Sequence, residues 1–185
     1  AEETIPGGAI KIIESGILES FGGTVKAVLG IHVSPRLEVG KIGICPGRFM
    51  ASSDEFYITI LGHGGHAAEP HRAVDSIMIA VQLLNTLQQI VSRKADPNIA
   101  SVLTFGRFEG HGAANIIPSE VYLAGTFRTV DEEWRESAVR QIESIVNTLP
   151  GLLGASVLLE IKRGYPTLFN DLNLQIKSSY LTSVK

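Results

Sequence analysis

The chain of 185 residues carries 16 Lys and Arg against 19 Asp and Glu, a formal net charge of −3, and 44% hydrophobic residues. This amount of apolar side chain can build a core and excludes an intrinsically disordered chain. A slightly acidic chain without a basic block lacks the positive charge that binds nucleic acid. No apolar run approaches the roughly 20 residues that cross a bilayer, so we expect no membrane span.

Cys45 is the only cysteine, so no disulfide can form within the chain. This favours a reducing compartment, and we expect a cytoplasmic location. The first residues show no start methionine and no signal peptide, and the last residues show no terminal signal. We therefore expect the chain to be an internal part of a longer polypeptide.

The first 50 residues show short helix and strand patterns. Ala9–Glu14 predicts a short amphipathic helix that is closed by Gly16. The apolar, β-branched run Val25–Ile31 predicts a buried strand that ends at His32. Glycines and prolines between residues 35 and 47 predict loops around a short strand.

A more regular pattern begins at Ser53. Apolar and polar positions alternate over Phe56–Leu61 with the period of two that is typical of a strand. Asp75 is a suitable N-cap for a helix that runs to about Ser92. The spacing of three and four predicts a buried helix face, made of Ile77, Ala80, Val81, Leu84, Leu87, Gln88 and Val91.

Two more strands are predicted at Ile99–Phe108 and Glu120–Thr129, and they form an antiparallel pair. A second helix opens with acidic residues from Asp131 and is stopped at Leu149-Pro150-Gly151. A last strand is predicted at Ser156–Arg163. The second helix has an apolar stripe formed by Trp134, Ala138, Ile142 and Ile145.

The order of elements between residues 53 and 165 is therefore β-α-β-β-α-β. Its simplest layered solution is a ferredoxin-like α+β domain, with a four-stranded antiparallel sheet and both helices on one face. Such a fold serves enzymes, regulatory modules and RNA-binding proteins alike. The function must therefore be argued from particular residues.

Three groups of residues are candidates for chemistry. Glu2 and Glu3 with His32 offer a proton-transfer group and metal ligands, although two acids at a chain start also form an ordinary solvated surface. The loop His63–His71 holds three imidazoles, but no Cys or carboxylate at helical spacing completes a metal site beside them, which favours a structural or hydrogen-bonding role over local metal binding. A single histidine there could also stabilise an oxyanion.

Asn115 and Arg128 form the third group. Asn115 lies in a glycine-rich loop, and Arg128 lies in an otherwise apolar strand. A guanidinium is a natural bidentate clamp for a carboxylate. The alternative interpretation is an exposed arginine on the polar face of the sheet.

Read together, these segments resemble the zinc-dependent amidohydrolase and exopeptidase family of aminoacylase, hippurate hydrolase, carboxypeptidase G and the plant indole-acetyl amino acid hydrolases. The hippurate hydrolase branch is the most similar. The resemblance covers nearly the whole chain, in family order. It is carried by Ala1-Glu2-Glu3, Gly30-Ile31-His32-Val33, Gly43 to Met50, Gly62 to His71, Val91-Ser92-Arg93, Asn115 to Pro118 and Gly125 to Asp131.

The resemblance implies a role for each candidate residue. Glu2 matches the general base that activates a metal-bound water, and Glu3 and His32 match metal ligands. The metal would be divalent, zinc in the first place, with manganese, cobalt or nickel as alternatives. His66 matches a histidine that reaches across a dimer to the tetrahedral oxyanion. Asn115 and Arg128 match substrate-binding positions, with Arg128 on the free carboxylate.

The resemblance also implies a domain organisation. Residues 51–165 would be the lid or dimerisation domain of a homodimer, inserted in a partial α/β catalytic domain formed by 1–50 and 166–185. The whole protein would hydrolyse the amide bond of an N-acyl amino acid or a short peptide.

The metal site is incomplete in this chain. The family also needs an upstream Cys-Gly-His-Asp type segment and a downstream histidine, which these 185 residues lack. We therefore expect this chain by itself to be inactive. A free-standing dimerisation or ligand-binding module without catalysis is the alternative hypothesis.

Overall fold

The fold is known from a computed structural model, which describes residues 8–20 and 24–173. The described chain forms two compact units. One unit contains the residues up to Met50 and those from Leu168 onwards, and the other contains Ala51–Thr167.

The first unit has little regular structure. It contains helix α1 (Gly8–Glu14), helix α2 (Ile17–Ser20) and strands β1 (Gly47–Met50) and β8 (Leu168–Asn170). The two strands pair antiparallel, with Gly47 opposite Asn170 and Met50 opposite Leu168. Helix α1 confirms the short helix predicted at Ala9–Glu14.

The predicted strand at Val25–Ile31 was wrong for this structure. These residues have no strand partner, and Val28, Leu29 and Ile31 are 77%, 77% and 102% exposed. An apolar strand of this type forms only where neighbouring strands pair with it and other elements cover both of its faces. The described residues supply no such neighbours.

The second unit contains the main sheet and both long helices. Its chain order is β2 (Asp54–Leu61), β3 (Gly65–His66), α3 (Ser76–Gln89), β4 (Ser101–Glu109), β5 (Ile116–Ile117), β6 (Glu120–Thr129), α4 (Glu132–Leu152) and β7 (Ser156–Arg163). Helix α3 continues as a π-helical turn over Ile90–Lys94. The order β-α-β-β-α-β is thus confirmed, with the two-residue strands β3 and β5 added in the loops.

The main sheet is four-stranded and antiparallel, as predicted, in the order β4-β6-β2-β7. Strand β2 therefore lies in the interior, between β6 and β7. The pairing of β4 with β6 contains a bulge between Phe105 and Arg107.

The core lies between one face of this sheet and the two long helices. In β2 the side chains of Phe56, Ile58 and Ile60 are fully buried and alternate with partly exposed positions, as the period of two predicts. They pack with Leu83 of α3 and Ile142 of α4 in one cluster. Burial of these side chains is the main source of the stability of the unit.

Helix α3 begins where predicted, but its buried face is rotated. The Asp75 carboxylate accepts hydrogen bonds from the backbone N–H of Ile77 and Met78, both at 3.0 Å. The fully covered apolar side chains include Ile79 and Leu83, whereas Val81 is 38% exposed. The predicted Ile77 and Leu84 are only partly buried and pack at the margin of the core.

Helix α4 confirms the predicted stripe, with Ala138 and Ile142 fully buried. Its predicted end was wrong, because the helix includes Pro150 and ends at Leu152. A proline in the last turn removes one backbone donor without ending the helix at that point. The N–H of Ala155 then donates to the Pro150 carbonyl at 3.0 Å.

Candidate functional site

His66 and Asn115 are brought together by a small two-stranded sheet. Strand β3 pairs antiparallel with β5, which places Gly65 opposite Ile117 and His66 opposite Ile116. The backbone N–H of Ala67 then donates to the Asn115 carbonyl at 2.9 Å. Two of the residues that the sequence singled out for function therefore lie next to each other.

Close backbone approach explains the glycines of this loop. A side chain at Gly64 would place its Cβ 2.5 Å from the Ile117 carbonyl oxygen, so only glycine fits there. The segment after β5, which packs against this loop, is tied to helix α3, since the buried hydroxyl of Ser76 donates to the Pro118 carbonyl at 2.7 Å. These contacts hold His66 in a defined backbone position on the surface.

The hydrogen bonds of His66 indicate its tautomer. The backbone N–H of Ala68 donates to Nδ1 of His66 at 3.1 Å, so Nδ1 acts as the acceptor. In the neutral imidazole the proton then lies on Nε2. The exposed side chain therefore presents an N–H donor, which is the group that an oxyanion requires.

Arg128 lies at the opposite end of the sheet from this pair. His66 follows the end of β2 at Leu61, which is paired with Glu120 at the start of β6. Arg128 is eight residues further along β6, which corresponds to about 27 Å at about 3.4 Å per residue. Within one copy of the chain, Arg128 therefore lies far from His66 and Asn115.

The guanidinium of Arg128 is exposed and has no acidic partner among the residues that the structure describes. Other arginines of the sheet are paired. Arg107 donates to both carboxylate oxygens of Glu109, at 2.7 and 2.9 Å, and lies over the ring of Tyr122. An exposed guanidinium without a carboxylate partner can bind a carboxylate from elsewhere.

His32 is the only predicted metal ligand that the structure describes. Its Nδ1 lies 2.6 Å from the Val33 carbonyl oxygen, so Nδ1 carries the proton and the lone pair of Nε2 is available. This is a tautomer that binds metals, and a carbonyl partner is typical of metal-bound histidine. Glu2 and Glu3 lie outside the described residues.

A complete metal centre is not formed by the part of the chain that the structure describes. No group of three or more His, Cys, Asp or Glu side chains in residues 8–20 and 24–173 is arranged to hold an ion. A catalytic metal normally needs three protein ligands. The described residues therefore do not hold one by themselves.

An ion-pair cluster around the buried pair of Asp54 and Arg135 escaped the sequence analysis. It consists of Asp54, Glu132, Arg135, Glu136 and Arg163. Arg135 donates from Nε and Nη2 to the two carboxylate oxygens of Asp54, at 2.7 and 2.6 Å, and both side chains are almost fully buried. Arg163 lies 3.1 Å from Asp54 and also pairs with Glu136. The one available signal was the period of two in β2, which places Asp54 on the same buried face as Phe56.

Glu132 links this cluster to the end of the unit. Its Oε1 accepts from Arg135 at 2.6 Å, and its Oε2 accepts from the backbone N–H of Thr167 at 3.1 Å. Partial burial opposes ionisation, but the Thr167 amide and the Arg135 guanidinium outweigh it and hold the pKa of Glu132 below its ordinary value. Hydrogen bonding to Asp54 raises the pKa of Arg135, despite burial.

The model of the peptidase dimerisation domain of the M20 family matches residues 52–151, which include three of the four strands of the main sheet, β2, β4 and β6, and both long helices as far as Gly151. This chain belongs to the M20 peptidase dimerisation domain family. The match confirms the resemblance that the sequence motifs indicated.

Named relatives agree with this assignment. The chain is 41% identical over 170 residues to an N-acyl-L-amino acid amidohydrolase of Geobacillus stearothermophilus, covering 92% of this chain and 45% of that protein. It is 40% identical over 169 residues to an IAA-amino acid hydrolase, ILR1-like 4, of Arabidopsis thaliana, covering 89% and 38%.

A solved structure gives the same result. The YXEP protein of Bacillus subtilis, described as a dinuclear metal binding peptidase from the M20 family, superposes with a TM-score of 0.70 at 28% identity, covering 99% of this chain and 44% of that chain. This chain, which contains the M20 dimerisation domain, spans less than half of the length of each of these three proteins. Over the described ranges, no helix has the length and apolar character of a membrane span.

Proposed function

We propose that this chain supplies the dimerisation domain and part of the catalytic domain of a metal-dependent N-acyl amino acid amidohydrolase. The proposal is supported by the relatives, one of which is named for this activity. The substrate would be an N-acyl amino acid or a short peptide, and the reaction would hydrolyse its amide bond. Residues 51–165 would form the dimerisation domain, with 1–50 and 166–185 in the catalytic domain.

Each described candidate residue has a group that suits this reaction. The Nε2–H of His66 would donate to the oxyanion that develops when water attacks the amide carbonyl. Asn115, beside His66, would bind the same end of the substrate. Arg128 would hold the free carboxylate of the amino acid half.

The separation of His66 from Arg128 is the observation that carries the proposal. The span of β6 from Glu120, at the end of the sheet near His66, to Arg128 is about 27 Å. An N-acyl amino acid is far shorter than this span. If both residues contact one substrate, they must come from two copies of the chain. We therefore propose a homodimer in which each site takes Arg128 from one copy and His66 from the other.

The metal would be divalent, and zinc is the first choice because carboxylate and imidazole ligands suit it. Glu3 and His32 would be two of its ligands, and Glu2 would accept a proton from the attacking water. When bound, the metal would polarise the amide carbonyl and lower the pKa of water. Two ligands are too few to hold a catalytic metal, so the proposed site needs further ligands besides Glu3 and His32.

Cys45 is exposed and is a free thiol. A free thiol on the surface supports a reducing compartment, and we propose the cytoplasm as the location. No observation favours a free-standing binding module, which was the alternative hypothesis.

A complementation assay tests the proposed site. Hydrolysis of N-acetyl amino acids is measured for the complete polypeptide that contains this chain, loaded with zinc, and for its variants His66→Ala and Arg128→Ala. We expect each single variant to lose about a hundredfold or more in kcat/KM, since each removes a group that binds the transition state or the substrate.

The two variants are then unfolded and refolded together, so that mixed dimers form. If each site uses one residue from each copy, every mixed dimer has one intact site, and about a quarter of wild-type activity returns. If both residues serve a site within one copy, mixing restores nothing. His63→Ala, in the same exposed loop, is the matched control and is expected to retain activity.

A further inference from the structure

Ile116 lies directly opposite His66 in the pairing of β3 with β5. Side chains at opposite positions of antiparallel strands point to the same face, with their Cβ atoms about 5 Å apart. Both side chains are exposed, that of Ile116 to 53%. An apolar side chain therefore stands beside the imidazole that is proposed to donate to the oxyanion.

The core makes no use of this side chain. Ile116 belongs neither to the buried cluster of the second unit nor to the partly buried apolar side chains that pack against it. The next two residues turn inward, since Ile117 is half-buried and Pro118 is buried. An exposed side chain gains little from folding, so the contribution of Ile116 can lie in contact with a ligand.

The backbone of Ile116 is fixed on both sides. On one side lies His66 of β3. On the other side the Ile116 N–H donates to the Ala113 carbonyl at 3.0 Å, and the Ile116 carbonyl accepts from the Ala113 N–H at 3.2 Å. A Cβ at Gly112 would lie 2.4 Å from the Ile116 carbonyl oxygen, so the turn packs closely against it. A side chain on such a backbone is preorganised, because little loop freedom is lost when a ligand binds.

The chemistry of the proposed reaction decides which part of a substrate Ile116 can reach. The oxyanion bound by Nε2 of His66 forms on the acyl carbonyl. The carbon chain of the acyl group begins one hydrogen bond and two covalent bonds from Nε2, on the carbonyl carbon itself. The amino acid half lies across the bond that breaks, where Arg128 of the other copy is proposed to bind its carboxylate. Ile116 therefore lies within reach of the acyl half.

We propose that Ile116 recognises the acyl group of the substrate by apolar contact, and that it makes the site favour acyl chains longer than acetyl. This inference rests on the proposed function. In the proposed homodimer one copy contributes both His66 and Ile116 to the acyl half, and the other copy contributes Arg128 to the carboxylate. The specificity for the two halves of the substrate is thus divided between the two copies.

A ratio of two substrates tests the proposal. The value of kcat/KM is measured for N-hexanoyl-leucine and N-acetyl-leucine with the complete polypeptide that contains this chain, loaded with zinc. Ile116→Ala should lower the ratio of the hexanoyl to the acetyl value about tenfold or more, because a few carbon atoms of apolar contact discriminate between substrates by this order. Ile116→Leu keeps the apolar volume and should keep the ratio. Leu158→Ala, which removes a side chain 61% exposed on β7, is the matched control and should keep it too.

Mixed dimers of His66→Ala and Arg128→Ala chains give a sharper control, since the same substitution can be placed on either chain. Their intact site takes His66 from the Arg128→Ala chain. Ile116→Ala on that chain should lower the ratio, whereas Ile116→Ala on the His66→Ala chain should leave the ratio of the intact site unchanged. An indirect effect on the fold would move both substrates together and leave the ratio as it was.

The outcomes separate this inference from the proposed function. Hydrolysis of neither substrate by the wild type overturns both. Hydrolysis by the wild type with an unchanged ratio in Ile116→Ala overturns the role of Ile116 alone, and so does an equal change from both placements in the mixed dimers. If Ile116→Ala loses all activity, the smaller change Ile116→Val is measured instead, and an unchanged ratio there also overturns the role.

Discussion

At the scale of single residues, two exposed histidines have hydrogen bonds that indicate opposite tautomers. A backbone N–H donates to Nδ1 of His66, whereas Nδ1 of His32 donates to a backbone carbonyl. The first arrangement presents a proton on Nε2, and the second presents a lone pair. Each form suits the role proposed for that residue, a hydrogen-bond donor and a metal ligand.

Asp54 is a buried carboxylate that pairs with two arginines, Arg135 and Arg163. Replacing it in Asp54→Asn would leave Arg135 buried without its full partner, because that side chain is 4% exposed. Breaking a buried pair on one side typically costs about 3–5 kcal/mol. We expect a loss of that size in the free energy of unfolding, measured by urea denaturation of the chain.

Glu160→Gln provides the comparison for this prediction. Glu160 pairs with Lys162 at 3.6 Å, with both side chains exposed, so its loss should cost less than about 1 kcal/mol. A loss for Asp54→Asn no larger than that of Glu160→Gln would show that the buried pair contributes little to stability.

At the scale of elements, the start of helix α4 makes the stability of the unit depend on pH. The folded structure lowers the pKa of Glu132 below its ordinary value of 4.5. A carboxyl group with a lowered pKa stabilises the fold fully above its unfolded pKa and loses this contribution as the pH falls through the folded pKa. We expect the stability of the wild type to decrease below about pH 4.5, measured by urea denaturation at several pH values.

The variant Glu132→Gln should have a lower stability at pH 7 and a weaker loss on acidification, because its side chain does not titrate. Curves for the wild type and for Glu132→Gln that stay parallel from pH 7 to pH 3 would contradict the assignment. Glu133→Gln, exposed in the same turn, should follow the wild type.

The long elements of residues 51–167 could be predicted because each carries its own local signal. The alternation over Phe56–Leu61 defines a strand, and Asp75 caps the helix that follows it. The ion-pair cluster could not be predicted, since Asp54 and Arg135 meet across 81 positions of sequence. No local pattern in the sequence pairs an acid in one element with a base in another.

The sequence offers the candidate residues of the site, whereas the role of each one stays a prediction from the family resemblance. The sequence pattern marks His66, Asn115 and Arg128, but not how far apart they lie. Their separation follows from the register of β2 with β6, which is a property of the folded sheet. The run Val25–Ile31 has the pattern of a buried strand, but residues 8–20 and 24–173 provide no neighbouring strand to pair with it.

At the scale of the whole molecule, the two units differ in how they are stabilised. Among the residues that the structure describes, the apolar side chains of the buried core all belong to 51–167, whereas Val28, Ile31 and Val39 of the first unit are exposed. A unit with its own core can fold by itself. We expect a chain limited to residues 51–167 to unfold cooperatively, with a Tm within a few degrees of that of the full chain.

The same comparison has a second readout. Removing the exposed apolar residues should lower the binding of a hydrophobic dye such as ANS, since such residues are what the dye detects. A chain of residues 51–167 that unfolds without cooperativity would show that the first unit contributes to the core after all.

The position of His66 at one end of the sheet and Arg128 at the other also has a consequence for how the rate depends on protein concentration. A site assembled from two copies exists only in the associated form, so the rate per chain is constant at high concentration and falls on dilution below the dissociation constant of the dimer. Below that constant the total rate grows with the square of the chain concentration. The amount of this polypeptide present would then itself control the proposed activity, without any further ligand.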